Sequence, residues 1–98
     1  MTRAQLVAGV ATYLGHQGEP ITKRRVESVL IATLEVIEEA MRERKRVDLR
    51  GFGTFFGRVR PAHEAVNPRN GERVLIAQRV DPKFRPSKML RGRLNPVE

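Results

Sequence analysis

The 98-residue sequence contains no cysteine and no tryptophan, and its aromatics are limited to four Phe and one Tyr. Without cysteine there can be no disulfide, no thiolate nucleophile and no cysteine-ligated metal. Its two histidines, His16 and His63, have no plausible ligand partners or nucleophile nearby, and both read as loop histidines. The sequence has no glycine-rich phosphate loop and no paired acid and base on a recognisable scaffold, which leaves catalysis without support. No cofactor, metal site or small-molecule substrate is expected. Long apolar runs are missing too. The opening MTRAQLVAGVATYLG is too short to cross a bilayer and reads as an amphipathic helix rather than a signal peptide. Internal repeats and low-complexity segments are absent, and the length allows one domain with a limited core. The expectation is a soluble cytoplasmic protein that gains from oligomerisation.

What the sequence does have is positive charge, unevenly placed. The net charge is +8. Residues 1–41 hold four Lys/Arg against five Glu, whereas residues 42–98 hold fifteen Lys/Arg against six Asp/Glu, and twelve of those fifteen are Arg. A guanidinium fork matches phosphate oxygens and minor-groove edges better than an ammonium point charge does. Nucleic acid is therefore the leading partner. An anionic membrane surface ranks below it, because no strongly amphipathic basic helix is present.

Hydrophobic periodicity supplies the elements. Thr2 with Gln5 has the form of a capping box, Met1 with Leu6 that of a hydrophobic staple, and Leu6, Val10, Tyr13 and Leu14 share a helical face that Gly15 ends. The polar, glycine-rich segment 15–20 reads as a connector. Thr22 then caps a second helix of about 22 residues. Val26, Val29, Leu30, Thr33, Ile37, Ala40 and Met41 form its apolar stripe, widened by Leu34 and Val36. A stripe of that width exceeds what one small core needs, so part of it should meet another subunit. After Arg46 the period falls to two: VDLR, the GFG interruption, TFFGRVRP, and the returning RVLIAQRV form antiparallel strands. Gly51, Gly53 and Gly57 imply a bend, a bulge or a close backbone approach. A short helix should follow Pro86, with Ser87 as its cap and Met89, Leu90 and Leu94 pointing inward. The predicted class is α+β, with two N-terminal helices (1–46), a three-stranded antiparallel sheet (47–82) bearing a protruding ribbon (about 59–75), and a short C-terminal helix and tail (83–98).

The tip of that ribbon, AVNPRNGER, carries more turn signals than a hairpin requires. From Pro61 to Glu72 only Val66 is a sizeable aliphatic residue, so the segment has little to bury and should project. Pro68 then has two readings, an ordinary turn proline or an exposed apolar wedge.

The joint occurrence of VDLRGFGTF, NPRNG and KFRPSKMLRGRL resembles the HU and integration-host-factor family of bacterial DNA-bending proteins, over almost the whole chain. The resemblance implies an intertwined dimer, homodimeric by default with a heterodimer left open. Its helices form a base from which two β-ribbon arms reach round double-stranded DNA. It further implies that Pro68 inserts between base pairs, and that Arg60, Arg69 and Arg73 line the arm. Lys83, Arg85, Lys88 and Arg91 would hold flanking DNA on the body, and the backbone N–H groups of Ser87 and Lys88 would offer a phosphate site. Arg50, Arg58, Asn70 and Arg79 complete the implied contact set. The implied role is an architectural protein of the nucleoid; a basic RNA-binding or ribosome-associated module is the alternative. One departure stands out: where the family's arm is rich in Arg, Thr and Gly, this chain has His63-Glu64-Ala65-Val66, and Glu72 follows the tip.

Four further features admit two readings each. Alternation places Asp48 and Arg50 on one strand face, either as a surface ion pair or as an arginine aimed at a groove and oriented by its neighbour. Phe52, Phe55, Phe56 and Phe84 read as core rather than as stacking platforms. The run RERKR (42–46) is either a phosphate patch or a cationic helix C-terminus favoured by the dipole. Lys23-Arg24-Arg25 sit in a first helical turn, where the dipole disfavours them, which makes a phosphate contact more credible there.

Overall fold

A computed structural model describes residues 1–96, which fall into two units that divide after Glu38. The elements in chain order are α1 (Arg3–His16), α2 (Lys23–Arg42), β1 (Val47–Leu49), β2 (Gly53–Arg60), β3 (His63–Val66), β4 (Arg73–Ile76), β5 (Arg79–Pro86) and α3 (Lys88–Leu94).

In the first unit the capping box forms as the sequence implies. The Thr2 hydroxyl accepts the Gln5 N–H at 3.2 Å, and the Gln5 side chain accepts the Thr2 N–H at 2.8 Å. The staple does not form: Met1 and Leu6 are both exposed, so the two capping bonds alone fix the entry into α1. Thr22 caps α2 by accepting the Arg25 N–H at 3.1 Å. Val7 and Val26 are the buried apolar side chains of this unit, while Val29 and Leu34 stay more than half exposed and Val36 is 70% exposed. Of the stripe predicted on α2, Val26 is buried and Leu30, Ile37, Ala40 and Met41 are half-buried, while Val29, Thr33, Leu34 and Val36 are left exposed by this protomer.

The second unit begins with the last turn of α2. Its main sheet has the order β1-β2-β5, all antiparallel. β2 and β5 pair without interruption from Gly53 opposite Pro86 to Arg60 opposite Arg79. Gly53 and Gly57 therefore mark close approach rather than a bulge, and Gly51, at φ +81°, makes the bend between β1 and β2. At Gly57 a β-carbon would stand 2.6 Å from Val80 Cγ1 and 2.7 Å from the Met41 carbonyl oxygen, so only glycine lets the end of α2 pack there.

Pro61 has no N–H to offer, and with Ala62 and the facing Ala77-Gln78 it interrupts the ladder. Beyond the break, β3 and β4 pair only with each other as a separate two-stranded ribbon. Two boundaries differ from the expectation. Val59 and Arg60 still belong to the main sheet, and Lys83, Phe84 and Arg85 continue β5 instead of opening the C-terminal segment. Ser87 caps α3 by accepting the Leu90 N–H at 3.0 Å. Of the three side chains expected to point inward, only Leu90 is half-buried; Met89 and Leu94 are exposed, because seven residues of helix present little surface to the sheet.

Candidate nucleic-acid interface

Antiparallel pairing puts directly opposed residues on the same face of a sheet, and the β2–β5 register thereby sorts the sheet into two chemically distinct faces. Phe55 with Phe84 and Val59 with Val80 lie on one face, joined there by Val47 opposite Phe55. The Phe84 ring centroid is 4.8 Å from that of Phe55 and 5.5 Å from that of Phe52, a tilted aromatic cluster that forms the centre of this face. The other face carries Thr54 with Arg85, Phe56 with Lys83, Arg58 with Asp81, and Arg60 with Arg79. Five cations thus share a surface with one carboxylate from the same two strands.

That carboxylate has a central place. Asp81 Oδ2 lies 3.5 Å from Arg60 Nε, and Oδ1 lies 3.9 Å from Arg79 Nε, with the Asp81 side chain 28% exposed. The ion pairs offset the repulsion between two arginines held opposite each other. A hollow of about 520 Å³ beside them is lined by Arg58, Arg60, Pro61, His63, Asp81 and Lys83 among others. Farther along the face, the Arg85 guanidinium sits 5.2 Å from the centroid of the Phe56 ring. Phe56 therefore departs from the core assignment made for all four phenylalanines, and Phe52 and Phe84, though clustered with Phe55, remain exposed in this protomer. Strand alternation turns Phe56 to the basic face, where it supports an arginine.

Asp48 and Arg50 also depart from expectation. β1 ends at Leu49 and Arg50 falls in the following turn, so the two side chains are not strand neighbours. The Asp48 carboxylate instead accepts the Thr54 hydroxyl, its cross-strand partner. Arg50, Arg85 and Ser87 do converge, together with Asp48, around a second hollow of about 230 Å³. Sequence reasoning missed Arg93, whose guanidinium donates to the Gly51 carbonyl oxygen and ties α3 to the β1–β2 turn. The phosphate site expected at Ser87 and Lys88 is reduced. The Ser87 N–H donates to the Phe52 carbonyl oxygen at 2.9 Å and is not available to a ligand, while its hydroxyl oxygen accepts the Leu90 N–H as the cap. Lys88 and Arg91 are exposed on α3.

Four hydrogen bonds brace the ribbon tip. The Asn67 N–H donates to the Glu72 carbonyl oxygen and the Gly71 N–H to the Asn67 carbonyl oxygen, each at 2.8 Å. The Asn67 side chain accepts the Arg69 N–H at 2.9 Å, and the Asn70 side chain accepts the Glu72 N–H at 3.0 Å. Gly71 takes φ +72°, a conformation glycine adopts without steric cost. These bonds hold Pro68 exposed at the tip, and they give Asn70 a structural use. Arg69 is exposed beside it, and Arg73 lies 3.6 Å from Glu64 across the ribbon.

The RERKR run is partly self-neutralised. Arg42 pairs with Glu39, and Lys45 lies 2.9 Å from Glu43, whose hydrogen bond and negative charge raise the Lys45 pKa. Two of its four cations are thus engaged locally at the end of α2.

Residues 1–95 match the sequence model of a family described as bacterial DNA-binding protein. Among solved structures the chain is similar to HU from Anabaena in a cocrystal with DNA. That likeness has 35% identity, a TM-score of 0.81, and coverage of 99% of this chain and 100% of that one. It is also similar to a mutant HU from Thermotoga maritima, at 27% identity and a TM-score of 0.67 over 97% of this chain and 100% of that one.

Proposed function

The chain belongs to the bacterial DNA-binding protein family, and on that premise we propose that it is an architectural protein of the nucleoid that binds and bends double-stranded DNA as a dimer. The observation that carries this reading is the two-faced sheet. Arg58, Arg60, Arg79, Lys83 and Arg85 stand on one side, and aromatic and aliphatic residues on the other. Such a face can neutralise several backbone phosphates at once and release their counterions. It supplies affinity without reading sequence.

The ribbon that continues from this face carries the bending element. Pro68 is an apolar side chain exposed on a braced tip, with Arg69 beside it, and its role is to enter between base pairs from the minor groove. Unstacking a base step costs a few kcal/mol, which the contacts of a bent duplex with the basic face offset. Arg50, Lys88 and Arg91 extend the phosphate-contacting surface beyond β2 and β5. The second copy is a dimer partner for the apolar surface of α2, where Val29, Leu34 and Val36 are exposed. No helix of the described residues is long and apolar enough to cross a membrane.

Competition among linear DNA, nicked DNA and a matched RNA duplex, run in one salt series with a fluorescence readout of bending, tests the reading. DNA should win, nicked duplex should bind tightest, and log affinity should fall by about 0.9 per phosphate neutralised for each log unit of salt. RNA bound as well as DNA, with no bending of either, would favour an RNA-binding module instead.

A further inference from the structure

The five cations of the basic face are not held alike. Arg60 and Arg79 both lie within ion-pair distance of Asp81, so a phosphate that binds either must compete with that carboxylate for the guanidinium. Arg85 is ion-paired with none of the described residues. Asp48 lines the same hollow, but its carboxylate accepts the Thr54 hydroxyl. What Arg85 has instead is the Phe56 ring, with the guanidinium carbon 5.2 Å from the ring centroid. The β2–β5 register explains the contact: Arg85 stands opposite Thr54 and Phe56 opposite Lys83, so the two are diagonal neighbours on one face. Phe56 is half-buried and Arg85 exposed, so a stiff ring carries a long side chain at the surface. The other face of the sheet is taken. Gly57, in step with Phe55 and Val59, lies against the Met41 carbonyl at the end of α2, which leaves the face of Phe56 and Arg85 turned outward.

We propose that Phe56 is a positioning residue that makes Arg85 the principal phosphate anchor of the sheet. The inference rests on the reading that this face binds the backbone of double-stranded DNA. A carboxylate orients a guanidinium by occupying its N–H groups and offsetting its charge, as Asp81 does for Arg60 and Arg79. An aromatic face orients it from one side, and the in-plane N–H fork stays whole for two oxygens of a phosphate. The ring also restricts the Arg85 side chain before DNA arrives, so less conformational freedom is lost on binding. Lys83, opposite Phe56, sets a second cation without an ion pair beside it.

The test compares variants of the full chain by affinity for one linear duplex over a salt series, with urea unfolding as the measure of stability. Arg85→Ala should weaken binding about tenfold, the weight of a hydrogen-bonded charged group, and lower the slope of log affinity against log salt by about 0.9. Arg60→Ala and Arg79→Ala should each weaken it by no more than about threefold, because Asp81 already offsets part of their charge. Phe56→Leu should weaken binding about two- to fivefold, the scale of an exposed cation–π contact, with the slope unchanged because every cation remains. The same change in an Arg85→Ala background should cost no further affinity, and Phe56→Tyr, which restores a ring, should recover the loss. An equal loss from Phe56→Leu with and without Arg85 would make the ring a structural residue and overturn the inference. So would an Arg85→Ala variant that binds as well as Arg60→Ala, a comparison that stands even where Phe56→Leu fails to fold. A parent chain that binds no duplex would overturn instead the DNA reading on which the inference rests.

Discussion

Arg60 and Arg79 stand directly opposite each other at the last pair of the β2–β5 ladder, where the ribbon begins. Like charges so placed destabilise a sheet, and Asp81 reaches both, at 3.5 and 3.9 Å. The same carboxylate that relieves the repulsion also puts a negative charge on the face proposed to meet phosphate. Stability and affinity therefore pull in opposite directions at this residue.

Replacing that charge separates the two effects. Asp81→Asn should lower the unfolding free energy by up to about 1 kcal/mol, the scale of a partly exposed ion pair, because the two guanidiniums lose their shared partner. Affinity for linear duplex should rise several-fold at low salt, with the gain vanishing as salt screens it. Urea unfolding and a salt series of binding isotherms measure the pair. Weaker DNA binding in this variant would mean that Asp81 positions the arginines for phosphate rather than competing with it.

Pro68→Ala should leave the tip folded, since none of the four hydrogen bonds bracing it uses the proline side chain. Bending, read by energy transfer between duplex ends, should fall sharply, along with the preference for nicked over intact DNA. Affinity for straight duplex should fall less, because the cations of β2 and β5 are untouched. A bend angle equal to the parent's would dismiss the wedge.

Much of this was legible in the residues. Capping signals at Thr2, Thr22 and Ser87 act locally, and each cap formed as read. Strand alternation from Gly53 to Arg60 likewise sorts charged from apolar side chains before any partner strand is known. What escaped depends on pairing. Asp81 is an unremarkable acid in the sequence and gains its role from the register that sets it beside Arg60 and Arg79. Phe56 reads as core from its place within a strand of the hydrophobic centre, whereas its parity with Arg58 and Arg60 places it on the basic face. The Asp48–Arg50 relation failed because the strand ends at Leu49 and the chain turns, and Ser87 was claimed as a phosphate site although a strand-to-helix junction needs its N–H for Phe52.

Gly57→Ala should destabilise the fold by about 1 to 3 kcal/mol, the cost of overpacking a tight contact. Its β-carbon would stand 2.6 Å from Val80 Cγ1, which can rotate away, and 2.7 Å from the Met41 carbonyl oxygen, which cannot move without shifting the end of α2. Chemical denaturation at fixed protein concentration measures the loss. Gly92→Ala is the control, since a β-carbon there meets nothing within 4 Å; helix propensity favours alanine over glycine by up to about 1 kcal/mol. Equal stability changes in the two variants would contradict the close approach of α2 to the sheet.

Among the described residues, Val7 and Val26 are the only buried large apolar side chains, and a chain of this size needs a much larger core to be stable alone. Covering Val29, Leu34 and Val36 of α2 with a second copy would supply it, and folding would then be inseparable from association. The melting temperature should accordingly rise with protein concentration, by several degrees over a hundredfold range, as mass action requires of an obligate dimer. Val36→Glu, which sets a charge on a position 70% exposed in the single protomer, should leave a true monomer unaffected and should destabilise the dimer severely. Sedimentation equilibrium and concentration-dependent melts distinguish the cases. A melting temperature independent of concentration, with Val36→Glu as stable as the parent, would mean that folding does not depend on a second copy, whereas a concentration-dependent melt with Val36→Glu unaffected would place the dimer contact elsewhere than on this stripe of α2.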